Sequence, residues 1–402
     1  MKLFNFILLS FIIFSCKNNS VDSVFTSTIK NKNMYVIDLD NAEQMDSFKL
    51  SFFVKSAKCI RLEESTKSII GEINKLIVFN DYLFVADIDY AKGLFVFDME
   101  GKFVRKIGER GRGPGEYIGF FDFTIDMDNH EIILLDHTQI HFYDLEGNYL
   151  KSVQTRSDGL ITNIQYFNGL IYSDIIAFKK TKNDYLLQSF ETVNGQRKNS
   201  FLNTGIHNKG LNVPIMFEMK YFIPKLEPPY LFRHSFMDTI FSITNDGLSP
   251  YLVLKSKDLV TKNDLKYPEN TNLHDFLNNN LEKKNKIYIL SNYLESSDYL
   301  HFRFLKGSDS KFVFFNKNSG KAQISEHFIN DIVYRGQLPR LWPRFLFYDQ
   351  NGAYETIKYF RLENFLLPLM TDKKELLQQP FNELLADLNE ESNPVIFYYE
   401  FY

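Results

Sequence analysis

Residues 108–117, GERGRGPGEY, set four glycines among Arg110, Arg112 and Glu116. Two chemistries use such a stretch. Glycine-rich backbone can cradle a phosphate at a helix N-terminus, and arginines can pair with a carboxylate. A phosphate loop needs a helix after it and often a Gly-Lys-Ser/Thr run. Here YIGFFDFTID follows, which is strand-like, and no such lysine is present. The stretch is therefore expected to connect the outer strand of one sheet to the inner strand of the next. Gly111, Gly113 and Gly115 supply backbone angles closed to other residues, and Pro114 stiffens the path. That connection would set Arg110, Arg112 and Glu116 at the mouth of a channel, as candidates for an anion or peptide carboxylate.

The stretch RLWPR, 340–344, holds the only tryptophan. Trp342 between Arg340 and Arg344 could stack on a sugar or peptide and bind an anion. It could equally be a packed wedge with solvated arginines. The eight histidines are scattered, with no HExxH pair. His137 and His141 fall in a strand pattern, where a spacing of four gives no chelating pair. His234 and His301 stay open as groups that different sheets could bring to a common axis. Asp98 and Asp144 precede repeated Glu-Gly turns and are expected to bond turn amides. Asp238 and Asp331 are expected to cap loops or face a channel. There is no Gly-x-Ser-x-Gly elbow. No catalytic residue, cofactor or metal site is assigned.

The chain has 402 residues with 44% hydrophobic and 24% charged content, as in ordinary globular proteins. Net charge is -4 with no long run of one sign, so nucleic acid is not an expected partner. The 40 Phe and 23 Tyr favour strands. Lys2 followed by the apolar run Leu3–Ser15 reads as a signal peptide, too short to span a bilayer comfortably. Cys16 directly after it resembles the lipidated cysteine of bacterial lipoproteins, which implies a lipid anchor. Cys59 then has no cysteine partner and is expected to be a buried strand residue. The division expected is a signal peptide at 1–15, a lipidated cysteine and flexible tether at 16–47, and a folded body at 48–402.

The elements that must position these groups are repeated. FDMEGKFV starts at 97 and YDLEGNYL at 143, 46 residues apart, with weaker copies at 191, 242 and 314. Another strand pair precedes each turn, with hairpin signals at Asn80-Asp81 and Asp128-Asn129. About four short strands per 46 residues is the size of one propeller blade. Apolar spacing predicts helical insertions at 270–286 and 372–391, the second interrupted by Pro380. The last segment, NPVIFYYEFY, is expected to pair with the early strand SFFVKSAKCIRLE and close a ring.

The stretches IGERGRGPGEYIGFFDF, RHSFMDTIFSITNDG, FINDIVYRGQLPRLWP and EESNPVIFYYEF together resemble the six-bladed β-propeller lipoproteins of Bacteroidota, which are similar to NHL-repeat propellers. The resemblance covers about residue 48 to the end. It implies an all-β, six-bladed propeller with the two helical insertions, closed by its N- and C-terminal strands. It brings no agreed catalytic motif. The function expected is a ligand-binding or protein-interaction scaffold, anchored by lipid to the outer membrane with the periplasmic face favoured. Its partner would be a peptide, glycan or envelope protein. The alternative is a propeller-type hydrolase or lyase acting on glycan or peptide. Blade boundaries within 178–230 stay open.

Overall fold

The computed structural model describes residues 34–137, 139–176, 185–207, 221–234, 236–266, 273–334, 343–358, 378, 381, 383 and 388–402. Six antiparallel sheets follow one another along the chain as the blades of a propeller. Blade 1 is Lys75–Phe79, Tyr82–Asp87, Gly93–Asp98 and Phe103–Ile107. Blade 2 is Asp122–Asp126, Glu131–Asp136, Gln139–Asp144 and Tyr149–Gln154. Blade 3 is Ile164–Phe167, Leu170–Asp174, Tyr185–Glu191 and Arg197–Asn203. The hairpin turns fall where the sequence signals them, with Asn80 and Asp81 both at positive φ.

Blade 4 explains why 178–230 hides its boundaries. Its innermost element is only the short run 221–223, bonded to the next strand through Ile223 to Leu231 and Arg233 to Tyr221. Tyr230–Phe232, Thr239–Thr244 and Gly247–Lys255 complete it. Blade 5 is Ile287–Glu295, Tyr299–Lys306, Asp309–Asn316 and Lys321–Ser325. In blade 6, Phe345–Tyr348, Gly352–Ile357 and Val395–Phe401 are joined by Val54–Arg61 from the start of the chain. The pairing of Val395–Phe401 with Val54–Arg61 is antiparallel, Ile396 facing Ile60 and Tyr399 facing Ala57. The ring is thus closed by the two ends of the folded body, as expected.

The glycine of the repeated turn, after Glu100 in blade 1 and after Asn194 in blade 3, has a packing reason. Gly101 and Gly195 take φ of 86° and 68°, and each lies against the end of the preceding blade's outer strand. A Cβ on Gly101 would overlap the Arg61 carbonyl, and one on Gly195 the Gln154 carbonyl. Backbone bonds run through the same contacts, Glu63 N–H to the Gly101 carbonyl and Arg156 N–H to the Gly195 carbonyl. A side chain there would be doubly forbidden, by backbone angle and by space. Asp98 and Asp144 fix these turns as expected: Asp98 accepts from the N–H of Glu100 and Lys102, and Asp144 from the N–H and amide of Asn148.

Two features depart from expectation. The first is a belt. The expected tether runs to residue 47, yet Tyr35–Asp38 lies parallel to Leu252–Lys255 as a fifth strand of blade 4. Glu43–Gln44 then pairs parallel with Gln323–Ile324 of blade 5, and Phe48–Lys49 with Phe328–Ile329. Ile37, Leu39, Phe48 and Leu50 are buried in one core cluster with blades 4 to 6. Apolar burial makes this stretch part of the fold, which begins at Tyr35 rather than 48.

The second is a chord. After 221–223 the chain leans from blade 4 to blade 6. The Pro224 carbonyl accepts from Tyr348 N–H of blade 6, and Lys225 bridges Tyr348 in parallel. Leu226 packs against the cluster formed by blades 1, 2 and 6, while its carbonyl accepts from the Tyr230 hydroxyl of blade 4 at 2.6 Å. Residues 224–226 thus link blades 4 and 6 past blade 5.

The first helical insertion is a short helix, Leu273–Leu277, continued by a π turn, Asn278–Glu282. Phe276 and Leu281 are fully buried with Phe236, Val260 and Tyr288. Most of the second expected insertion lies outside the described residues, where Phe381 and Leu388 join the core.

The belt is testable. Ile37→Ala should destabilise by about 2–4 kcal/mol through the cavity it leaves. Denaturant titration of this variant beside the native chain measures it.

Candidate functional site

In a four-stranded antiparallel blade, the first strand begins, the second ends, the third begins and the fourth ends at the same end. The connectors between blades and the loops joining second to third strands therefore share that end of every blade. All described candidates except His301, which lies within Tyr299–Lys306, fall on these segments. Arg110, Arg112 and Glu116 lie on the blade 1 to 2 connector, His234 and Asp238 on the blade 4 loop, and Asp331 and Arg344 on the blade 5 to 6 connector. No bond joins one of these three groups to another among the described contacts. Arg340, Trp342 and Cys16 lie outside the described residues.

The GERGRGPGEY connector folds on itself. Glu109–Arg110 pairs parallel with Glu116–Tyr117. Glu116 accepts from Gly113 N–H at 2.7 Å, so its carboxylate fills the hollow where a phosphate would sit. A Cβ on Gly111 would strike that carboxylate. Tyr117 is buried, and Tyr143 donates its hydroxyl to the Gly115 carbonyl at 2.9 Å. Arg110 and Arg112 are exposed.

The other candidates have structural partners. Asp331 accepts from Ser51 N–H at 3.0 Å and Ser51 Oγ at 2.7 Å, tying the belt to the blade 5 to 6 connector. Asp238 accepts from Thr239 Oγ1 at 2.9 Å. His234 stacks on Tyr221 with ring centroids 4.4 Å apart. Arg344 donates its backbone N–H to Glu355. His301 is not an axial group: Phe312, Phe314 and Phe328 surround it, and its Nδ1 lies 2.9 Å from the Val313 carbonyl. Burial pushes its pKa down to about 3, so it stays neutral. Cys59 is a strand residue as expected, facing Phe397 in the closing pair, but it is half-buried rather than buried; desolvation lifts its thiol to about 11, which favours the neutral form.

What positions the connectors is a clamp that the repeat pattern does not announce. The last residue of the second strand is aspartate in blades 1, 2 and 3. Asp87 accepts from the connector N–H groups of Gly71 at 2.7 Å and Glu72 at 3.2 Å, and from Tyr90 N–H of the following loop at 2.8 Å. Asp136 accepts from Ile118 and Gly119 N–H, both at 2.9 Å. Asp174 accepts from Thr162 Oγ1 at 2.7 Å and Asn163 N–H at 2.6 Å. Each buried carboxylate thus holds two or more donors of the connector entering its own blade. Such charge-assisted bonds are short and strong. Asp122 adds a tie between three blades, taking Lys75 Nζ of blade 1 and Ile164 N–H of blade 3, both at 2.8 Å.

One side-chain row has the order of a hydrolytic triad. Ser152 Oγ lies 2.9 Å from His141 Nδ1, and His141 Nε2 lies 3.7 Å from Asp136. His141 and Ser152 face each other in strand register, so their contact is a cross-strand pair. Burial lowers the His141 pKa, and Asp136 pulls against it. Both Asp136 oxygens already hold connector amides, so the row is part of the clamp. Among the described residues no group of three or more His, Cys, Asp or Glu side chains could hold a metal ion.

A family model described as a domain of unknown function, DUF4934, matches residues 34–400. A Bacteroides fragilis protein described as exported is similar in structure, with TM-score 0.69 and 16% identity over 89% of this chain and 99% of its own. A duf4221 family member from Bacteroides vulgatus gives TM-score 0.49 and 12% identity over 87% and 97%. The first likeness concerns the fold alone. No curated protein matches the chain.

The clamp has a pH signature. Burial lifts Asp174 to about 7 despite its donors, and Asp122 adds to the rise. A raised carboxylate pKa means that the folded state holds the proton more tightly than the unfolded one. Stability is therefore full below the ordinary aspartate range and falls as pH rises towards about 7. Asp174→Asn removes that loss. Relative to the native chain, its thermal midpoint should improve between pH 5 and pH 8, by the equivalent of roughly 1–4 kcal/mol. Parallel melts at the two pH values measure it.

Proposed function

This chain belongs to the DUF4934 family, and on that premise we propose that it is an exported, lipid-anchored binding scaffold whose connector face holds a peptide, glycan or envelope protein. The observation that carries this reading is the set of aspartate clamps. They fix three neighbouring connectors before any partner arrives, which lowers the ordering cost of binding. The clamped segments present Ile69, Tyr90 and Ile118 at 62%, 68% and 50% exposure. Exposed Lys67, Arg110 and Arg112 belong to the same connectors. Exposed Glu63, Glu64, Glu109 and Glu116 lie on them as well, so the face offers apolar side chains among charges of both signs, which suits an amphipathic partner.

The proposed contact set is Arg110, Arg112, Glu116, His234, Asp238, Asp331, Arg340, Trp342 and Arg344. Export is supported by the apolar run Leu3–Ser15 and by the similar Bacteroides fragilis protein described as exported. Cys16 is the proposed lipid attachment point, as in the Bacteroidota lipoproteins that the sequence resembles. Lys17-Asn18-Asn19-Ser20 has no acidic cluster, which favours the periplasmic side of the outer membrane.

Two experiments test this. A thermal-shift screen against peptides and glycans should find a ligand that raises the midpoint, and Arg110→Glu with Arg112→Glu should weaken it about tenfold or more. A library without any stabilising member would remove the small-ligand form of the reading. Separately, Cys16→Ser should abolish incorporation of labelled palmitate and move the protein out of the membrane fraction.

A further inference from the structure

We propose that Tyr90 is the stacking platform for a neutral, β-linked glycan on the connector face, with Glu72 and Asp89 accepting hydroxyl groups of the sugar that lies on the ring. The inference rests on the binding-scaffold reading and narrows its partner class to one kind of ligand.

Tyr90 is open to solvent and yet held. It is 68% exposed, and a side chain so exposed ordinarily keeps its rotamer freedom. Here Asp87 accepts from Tyr90 N–H at 2.8 Å and from Gly71 N–H at 2.7 Å, so one carboxylate sets both residues. The Tyr90 side chain rests on Gly71. A Cβ there would come within 2.8 Å of the Tyr90 Cβ and 2.7 Å of its Cγ, so only glycine leaves the ring its seat. Lys358 Nζ lies 5.0 Å from the ring centroid and pairs with Glu72 at 2.7 Å. The ring is therefore placed before any partner arrives, which lowers the ordering cost of binding.

Blade 2 repeats the arrangement. Asp136 holds the N–H of Gly119 at 2.9 Å, and the exposed His137 lies over that glycine, its Nε2 3.0 Å from where a Cβ would stand. A ring seated on a clamped glycine is thus a feature of this face and not an accident of one loop.

The groups beside the Tyr90 ring select the ligand. Asn74 donates its amide to one oxygen of Asp89 at 2.7 Å, while its own oxygen accepts from Ile88 N–H at 2.6 Å. Glu72 gives one oxygen to Lys358. The second oxygen of each carboxylate has no partner among the described residues. Each is aimed by one bond and open at the other oxygen, as an acceptor for a hydroxyl. Charge is balanced, Glu72 by Lys358 and Asp89 by Lys92 of the same loop, so neither an acidic nor a basic chain is drawn to the ring. A pyranose with equatorial hydroxyls meets these demands together. Its C–H face is apolar and flat enough to lie on an aromatic ring, and its rim of hydroxyls reaches the acceptors.

The test uses the full-length protein in a detergent without a sugar headgroup. Calorimetric titration with cellohexaose and with xylohexaose, both neutral and equatorial, should show saturable binding of at least one. Tyr90→Ala should weaken it by about tenfold or more. Gly71→Ala, which displaces the ring without removing it, should weaken it as well. Tyr402→Ala, which removes a tyrosine that is 80% exposed at the end of the chain, should not. Affinity should hold from low to high salt, where a partner attracted by charge would be lost. No binding of either glycan, indifference to the Tyr90 change, an equal loss in Tyr402→Ala, a steep fall with salt, or Tyr90-dependent binding of a neutral Ser-Gly hexapeptide in place of the glycans would each overturn the proposal. If the Arg110- and Arg112-dependent ligand still binds in those cases, only the Tyr90 assignment falls. If it too is absent, the scaffold reading falls with it.

Discussion

The whole architecture depends on one antiparallel pairing, that of Val54–Arg61 with Val395–Phe401. Without it blade 6 has three strands and two open neighbours. The pairing also carries packing across the seam. Ile60 and Ile396 sit in one apolar cluster with Leu76, Leu83 and Leu94 of blade 1, while Phe397 and Tyr399 belong to the cluster of blades 4 to 6. Joining segments so distant in sequence costs loop-closure entropy, but that cost grows only with the logarithm of length. Each blade in between is then held by its neighbours on both sides. The Asn393 side chain reinforces the joint, taking Ile70 N–H at 2.8 Å and donating to the Ser68 carbonyl at 2.8 Å.

Much of this fold is legible in the amino-acid order because its strongest constraints are local. The glycine after Glu100 and Glu146 is constrained by turn geometry, and in Gly101 by a neighbouring carbonyl as well, so the repeat survives where other positions drift. The final strand is legible because ten nearly apolar residues at an end require a partner. The belt is not legible. Its parallel additions need no hairpin, and the two residues Glu43–Gln44 carry no alternation to detect. The chord is hidden for a related reason: the first strand of blade 4 is too short for a period, and residues 224–226 bond to a strand more than a hundred positions away.

The candidate site was legible in its parts and not in its assembly. The arginines of GERGRGPGEY are recognisable as surface groups on a connector, and the connector role follows from the strand pattern after it. The structure adds that Glu116 serves the loop itself. Asp87 and Asp136 stand out only as carboxylates among many, since what matters is the pair of amides each receives from a segment 15 to 18 residues earlier. Asp174, in YSDII, shares that role without sharing a local motif. His301 shows the opposite limit, for nothing in its sequence neighbourhood reveals three phenylalanines brought from other strands.

The chord at 224–226 links two blades that are not neighbours. Pro224 and Lys225 meet Tyr348 of blade 6 past the whole of blade 5, while the Leu226 carbonyl still accepts from the Tyr230 hydroxyl of blade 4 at 2.6 Å. A ring joined only from each blade to the next can shear like a row of hinges. One brace that skips a blade turns blades 4, 5 and 6 into a triangle, and that part of the ring can distort only by breaking it.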